Sequence, residues 1–186
     1  MQQGTKKKIL IGIAVAGGAF LLGAVLWYFI FTSQFISYHD TTYGFDIKYP
    51  AKWQMMRTPQ AGAAVVFLSP KETALDVFRE NVNITVGDVP AEIATLKNFS
   101  DKIILQMTRV FKNVKVMEYK PILFGGRKGT RFVFTAQKPD AVTIFIALTI
   151  KGAAKSYILT YMAATKNYQK YLPLVEFMVQ SFKLNP

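Results

Sequence analysis

A chain of 186 residues with no cysteine can form no disulfide, Cys-ligated zinc site, iron–sulfur cluster or thiol nucleophile, and has no thiol for lipid attachment. Its net charge is +12, and setting Lys6–Lys8 aside leaves 20 basic against 11 acidic residues, a balance of +9. Such a balance draws a domain toward an anionic bilayer, although basic residues spread from Lys48 to Lys183 without a long run also describe an ordinary solvated surface.

Residues 1–8 precede Ile9–Phe31, a run of 23 residues without a charged side chain. As a helix the run spans about 34 Å, enough for a hydrocarbon core of about 30 Å. It predicts a single transmembrane helix. Lys6–Lys8 stand before it and no Lys or Arg follows until Lys48, so the positive flank keeps the N-terminus in the cytoplasm and puts the C-terminal domain outside. The expected location is the cytoplasmic (inner) membrane, with the domain in the periplasm, exterior or an equivalent lumen. Nucleic acid is then not an expected partner. A cleaved signal peptide needs an apolar core of about 7–15 residues ending in a small-x-small site; Ala14-Val15-Ala16 comes too early in the run and Ser33–Ser37 offers no such ending.

Within the run, Gly12, Ala16, Ala19 and Gly23 recur at helical spacing on one face. Small residues let a second helix approach closely in lipid, so they predict a partner helix or self-association. Residues 32–38 read as a juxtamembrane linker reaching at most about 25 Å, and residues 39–186 as one extracytoplasmic domain large enough for its own core.

In that domain Tyr43–Tyr49 alternates apolar and polar residues as a half-buried strand ended by Pro50. Ala63–Leu68 is a short apolar strand. Val82, Ile84 and Val86 share one face of the next, with Asn81, Asn83 and Thr85 on the other: a recognition surface, or the wet side of a sheet. Leu96–Lys112 carries Leu96, Phe99, Ile103, Met107 and Val110 at helical spacing behind a Thr95 N-cap. Strands follow at about Val114–Tyr119, Arg127–Gln137, Val142–Lys151 and Lys155–Ala163, with short turns that imply an antiparallel meander. Val142–Ile150 is apolar almost throughout, as a central strand covered on both faces is. A last helix, about Asn167–Gln180, has Thr165 as a candidate cap and Pro173 as an alternative start of its main segment.

Residues able to do chemistry are few. His39, the only histidine, and Asp40 fall far short of a closed metal site. No Gly-x-Ser-x-Gly is present and no carboxylate pair stands out. Gly125-Gly-Arg-Lys-Gly129 lacks the spacing of a phosphate-binding loop and reads as a hairpin turn that needs glycines at positive φ. Neither an enzyme nor a cofactor or metal site is expected.

Tyr43-Gly-Phe with Tyr49-Pro50 and Trp53, then Phe78-Arg-Glu-Asn-Val-Asn-Ile-Thr-Val86, resembles PsbP-like proteins and the related bacterial DcrB-like proteins. Leu123-Phe-Gly-Gly126 with Arg131, Tyr157-Ile-Leu-Thr-Tyr161 and Phe177-Met-Val-Gln-Ser-Phe182 continue the likeness over about residues 36–185. The resemblance implies an α+β domain, an antiparallel sheet sandwiched by helices (α/β/α), a fold shared with Mog-type Ran-binding proteins. Plant PsbP proteins stabilise the oxygen-evolving side of photosystem II; here a membrane span replaces their N-terminal extension, so the photosynthetic role is not carried over. The expected role is a membrane-anchored accessory or assembly subunit docking on a membrane protein complex. The alternative, on the DcrB-like side, is an envelope protein that binds a lipid, a small ligand or another envelope partner.

Overall fold

The structure, a computed structural model, describes residues 20–58, 63–74, 76, 78–89, 93, 95–137, 141–151 and 154–185. It divides into two compact units, Met1–Ile36 and Ser37–Pro186. In the first, residues 20–33 form helix α1. The Thr32 and Ser33 hydroxyls donate to the Phe29 and Ile30 carbonyls at 3.2 and 2.9 Å and close its last turn, and Trp27 stacks on Phe31 one turn away. Among the described residues no helix is long and apolar enough to cross a membrane. Residues 9–19 of the predicted span, with Gly12, Ala16 and Ala19, lie outside the described residues.

The predicted linker is not an irregular segment. Residues 32 and 33 end α1, and Phe35–Asp40 form strand β1. Its polar residues had hidden a strand whose outer face is wet. Strands β2 (Phe45–Pro50) and β10 (Lys183–Leu184) complete a small sheet ordered β1-β2-β10.

The main sheet has seven antiparallel strands in the order β3-β4-β5-β9-β8-β7-β6. They are β3 (Gln54–Thr58), β4 (Ala63–Leu68), β5 (Asn81–Asp88), β6 (Lys112–Phe124), β7 (Arg127–Gln137), β8 (Ala141–Lys151) and β9 (Lys155–Ala164). The meander β6–β9 matches the turns read from sequence, and β8 is buried on both faces from Val142 to Thr149. Gly125 and Gly126 adopt φ of 61° and 74° in the β6–β7 hairpin, closed by the Phe124–Arg127 pair. The glycine-rich stretch is therefore a turn rather than a phosphate cradle.

Helix α2 (Leu96–Val110) carries the chain from β5 to the far edge strand β6. Thr95 Oγ1 accepts from the Asn98 N–H at 3.1 Å, a cap worth about 1 kcal/mol. Phe99 and Ile103 pack on Phe132, Phe134, Ile144, Ile146 and Leu148, and Ser100 Oγ lies 2.9 Å from Thr130 Oγ1 beneath the helix.

Helix α3 (Tyr168–Ser181) covers the opposite face. It begins before Pro173, which sits inside the helix, and Asn167 rather than Thr165 occupies the N-cap without a side-chain bond to the helix's own N–H groups. The proline is tolerated because the carbonyl it leaves unpaired is that of Gln169, whose residue is exposed to water. Tyr161 stacks on Tyr168 and donates to its carbonyl at 3.1 Å.

Burial pushes the hydroxyls of Tyr38, Tyr157, Tyr161, Tyr168 and Tyr171 up from the ordinary tyrosine range, chiefly by desolvating the phenolate. Their stabilising contribution is present below the unfolded value near pH 10 and is lost as pH rises above it. In an alkaline titration these five rings are expected to ionise together with loss of tertiary structure. Tyrosinate absorbance and near-UV circular dichroism should change together, and ionisation of all nine tyrosines ahead of unfolding would contradict this burial.

Candidate functional site

The predicted polar strand is β5, and its polar face is partly covered. Asn81, Asn83 and Thr85 are all half-buried. Their partners across the ladder are Met162, Thr160 and Ile158 on β9, so the three side chains share the α2 side of the sheet with the apolar cluster around Phe99. Period-two polarity revealed the strand but not this cover.

Asn81 is the member that reaches a concavity. A groove of about 600 Å³ is lined by Leu68, Lys71, Asp76, Phe78, Arg79 and Asn81, with Ala74 completing it. Its wall is held by Arg79, whose Nε and Nη2 donate to the Ser69 and Leu68 carbonyls at 2.5 and 3.3 Å while Nη1 donates to Gln54 Oε1 at 2.8 Å. The Asn81 amide donates to the Arg79 carbonyl at 3.2 Å. Glu80 turns the other way and is fully buried. It accepts from Asn167 at 2.9 Å and from the Ser69 hydroxyl at 3.3 Å, tying the loop before β5 to the turn before α3. The Phe-Arg-Glu-Asn segment thus alternates a guanidinium clamp with a buried carboxylate latch. The first fixes backbone and the second ties side chains together, and the groove offers apolar floor and single charges rather than a nucleophile with a base.

The histidine does not join Asp40. Strand alternation turns His39 outward to Asp46, 2.9 Å away, and that contact holds the Asp46 carboxyl below its ordinary range. Asp40 points inward. Its Oδ2 accepts from the Tyr38 hydroxyl at 2.8 Å, and its Oδ1 from the N–H groups of Thr42 and Tyr43 at 3.0 and 2.9 Å. Among the described residues no cluster of three or more His, Cys, Asp or Glu could hold a metal ion.

A second ionic centre was not singled out for chemistry from sequence, although Arg131 carried part of the family likeness. The Arg131 guanidinium lies over the Phe145 ring, 4.5 Å from its centroid. Its Nη1 donates to Glu176 Oε1 on α3 at 2.5 Å. Its Nε is 2.6 Å from Glu118 Oε1 on β6, an ion pair whose angle lies outside hydrogen-bond geometry. The cluster joins an edge strand to the helix above it.

Of the predicted partner-helix residues, Gly23 alone is described. It is exposed on α1, and a Cβ added there meets nothing within 4 Å.

A family model described as PsbP matches residues 33–184. Among solved structures, cyanobacterial PsbP (CyanoP) from Synechocystis sp. PCC 6803 superimposes with a TM-score of 0.58 at 16% identity, over 81% of this chain and 92% of that one. LpqN of Mycobacterium tuberculosis, involved in cell envelope biogenesis, gives 0.57 at 12% identity over 82% and 91%. The Ran-binding protein Mog1p of Saccharomyces cerevisiae gives 0.58 at 11% identity over 81% and 95%. Comparison with curated proteins returns no match.

Proposed function

Because the chain belongs to the PsbP family, we propose that it is a non-catalytic, membrane-anchored accessory or assembly subunit whose extracytoplasmic domain docks on a larger membrane protein complex. The observation that carries this reading is the N-terminal segment. Ile9–Phe31 has no charge and follows three lysines, and the described part, α1, exposes Phe20, Leu22, Trp27 and Phe29 at 78, 73, 65 and 64%. Phe20 and Trp27 lie on the opposite side of the helix from Leu22 and Phe29; a soluble helix does not bare large apolar side chains all round, whereas lipid accommodates them. The orientation, with the N-terminus in the cytoplasm, rests on the lysine asymmetry. LpqN and Mog1p, described by envelope biogenesis and by binding Ran, are consistent with a fold that works by contact.

The test is purification of the full-length protein from its native membrane in mild detergent, with mass spectrometry of what accompanies it. A stoichiometric membrane complex is expected; a chain that comes out alone contradicts the proposal. Gly12, Ala16, Ala19 and Gly23 are proposed to seat the partner helix. Gly12→Leu with Ala19→Leu is expected to release the partner while leaving the domain's melting temperature unchanged, and unaltered co-purification would remove these residues from the interface.

The groove at Asn81 favours a second reading, an envelope protein that binds a lipid or small ligand. It is open and contains one aromatic residue, Phe78, where a deep aromatic pocket would have put this reading first.

A further inference from the structure

The positive charge of the domain is concentrated in one segment. Residues 96–137, which form α2, β6 and β7, hold nine Lys or Arg and only two acidic residues, Asp101 and Glu118, a net +7 out of the +9 beyond Lys6–Lys8, or +6 once Glu176 of α3, which pairs with Arg131, is included. Both acids already face cations: Lys97 lies 2.7 Å from Asp101, and Lys120 and Arg131 lie 3.4 and 2.6 Å from Glu118. The spread that looks even along the chain becomes one basic edge because α2 delivers the chain to β6, the last strand of the sheet.

The same edge exposes large apolar side chains. Leu123 is 77% exposed, Val110 71% and Met117 63%. The β6–β7 register places Tyr119 and Leu123 on the α2 side, opposite Phe132 and Lys128, and places Lys115 and Lys120 on the other side, opposite Thr135 and Arg131. On an edge strand these two faces meet at one rim, so apolar tips project between exposed lysines. Long basic side chains flanking apolar tips suit a headgroup region, where the tips sink and the ammonium groups stay among phosphates.

The rim is poorly suited to pairing with an added strand. Its register shifts between Lys112 and Lys115 and again between Val116 and Glu118, and Pro121 offers no N–H. Side chains, not main chain, are left to make the contact.

We infer that the β6 edge, with the end of α2 and the adjoining turn to β7, is a docking surface for an anionic lipid bilayer. This rests on the reading that the chain works at a membrane, but it concerns a separate contact.

The absence of cysteine allows a clean probe. Full-length protein carrying Leu123→Cys or Gln169→Cys, the latter exposed on α3 in the opposite layer, is labelled with an environment-sensitive dye. It is mixed with vesicles of phosphatidylcholine alone or with about 30 mol % phosphatidylglycerol. A blue shift is expected at position 123 only, on anionic vesicles only, and reversed by about 0.5 M salt. Replacing Lys112, Lys115 and Lys128 by Gln is expected to weaken this response roughly 100-fold, about fivefold for each cation removed. An unshifted Leu123 probe on anionic vesicles overturns the inference and leaves an acidic protein surface as the occupant of the edge; equal shifts at both positions overturn it as unspecific adhesion. Resistance to alkaline carbonate extraction from neutral vesicles tests the anchor alone. An extracted chain whose Leu123 probe still shifts keeps this contact without the anchor, and a retained chain with a silent probe keeps the anchor without the contact.

Discussion

Phe182→Ala is expected to destabilise the domain by about 3–5 kcal/mol, lowering its midpoint of thermal unfolding by about 10 °C for a domain of this size. Phe182 is 2% exposed and sits at the end of α3, where its N–H reaches the Met178 and Val179 carbonyls. Its ring stacks on Phe124 at 4.3 Å and on Phe45 at 5.4 Å, and meets Tyr157 at 6.1 Å. These partners belong to β6, β2 and β9, so one ring joins both sheets and the helix. The fit extends to Gly125, where an added Cβ would lie 3.0 Å from the same ring. Truncation removes the ring's contacts with three strands and leaves a cavity that rigid strands cannot close. Phe182→Leu, which keeps most of the volume, should cost less than half as much. Urea midpoints of the two variants measure the difference; a loss below about 1 kcal/mol for the alanine variant would show that the sheets hold together without this joint.

Arg131→Met should cost about 2–3 kcal/mol, below the roughly 3–5 of a fully desolvated pair because water still reaches both carboxylates. Arg131 itself is 14% exposed, against 34% for Glu118 and 31% for Glu176. Methionine retains the stem over Phe145 but leaves two acids facing each other across β6 and α3. The loss therefore comes mainly from the stranded carboxylates, which gives a sharper expectation. Adding Glu118→Leu and Glu176→Leu to Arg131→Met should recover most of the lost stability, since apolar replacement of a whole ionic cluster is often neutral. If the triple variant is less stable than the single one, the cluster contributes more than mutual compensation. Denaturation midpoints of the single and triple variants decide this.

Where side chains repeat with a simple period, the sequence was readable. Ala63–Leu68 is β4 residue for residue, and Thr95 caps α2 as its position before Leu96 predicts. The continuous apolar run Val142–Ile150 announced a strand covered on both faces. What escaped depends on partners distant in sequence. Strand β3, Gln54–Thr58, has mixed polarity and owes its place to its pairing with β4. Strand β6 continues through Pro121 to Phe124 because an edge position leaves the proline's missing donor facing outward. The Asn81, Asn83 and Thr85 face left two readings open because its partial cover comes from residues far along the chain. Gly12, Ala16 and Ala19 lie outside the described residues, so the partner-helix reading remains a matter for the co-purification experiment.

Strand β10 pairs Lys183 with Asp46 and Leu184 with Phe45, and Asn185 donates to the Gly44 carbonyl at 2.9 Å. The side-chain bond between Asn185 and Asp46 links residues 139 positions apart. At a synthesis rate of about 5–20 residues per second, β2 waits roughly 7–30 s on the ribosome for this partner. Throughout that interval Phe45 and Ile47, almost completely buried in the finished domain, have only an unfinished core to cover them. The meander β6–β9 can pair through local turns in the meantime, but the small sheet closes through the longest loop in the domain. A stalled or clipped chain lacking Phe182 and the residues after it would thus present an open strand edge beside an unfilled aromatic cluster, a form prone to aggregation and to quality-control proteolysis.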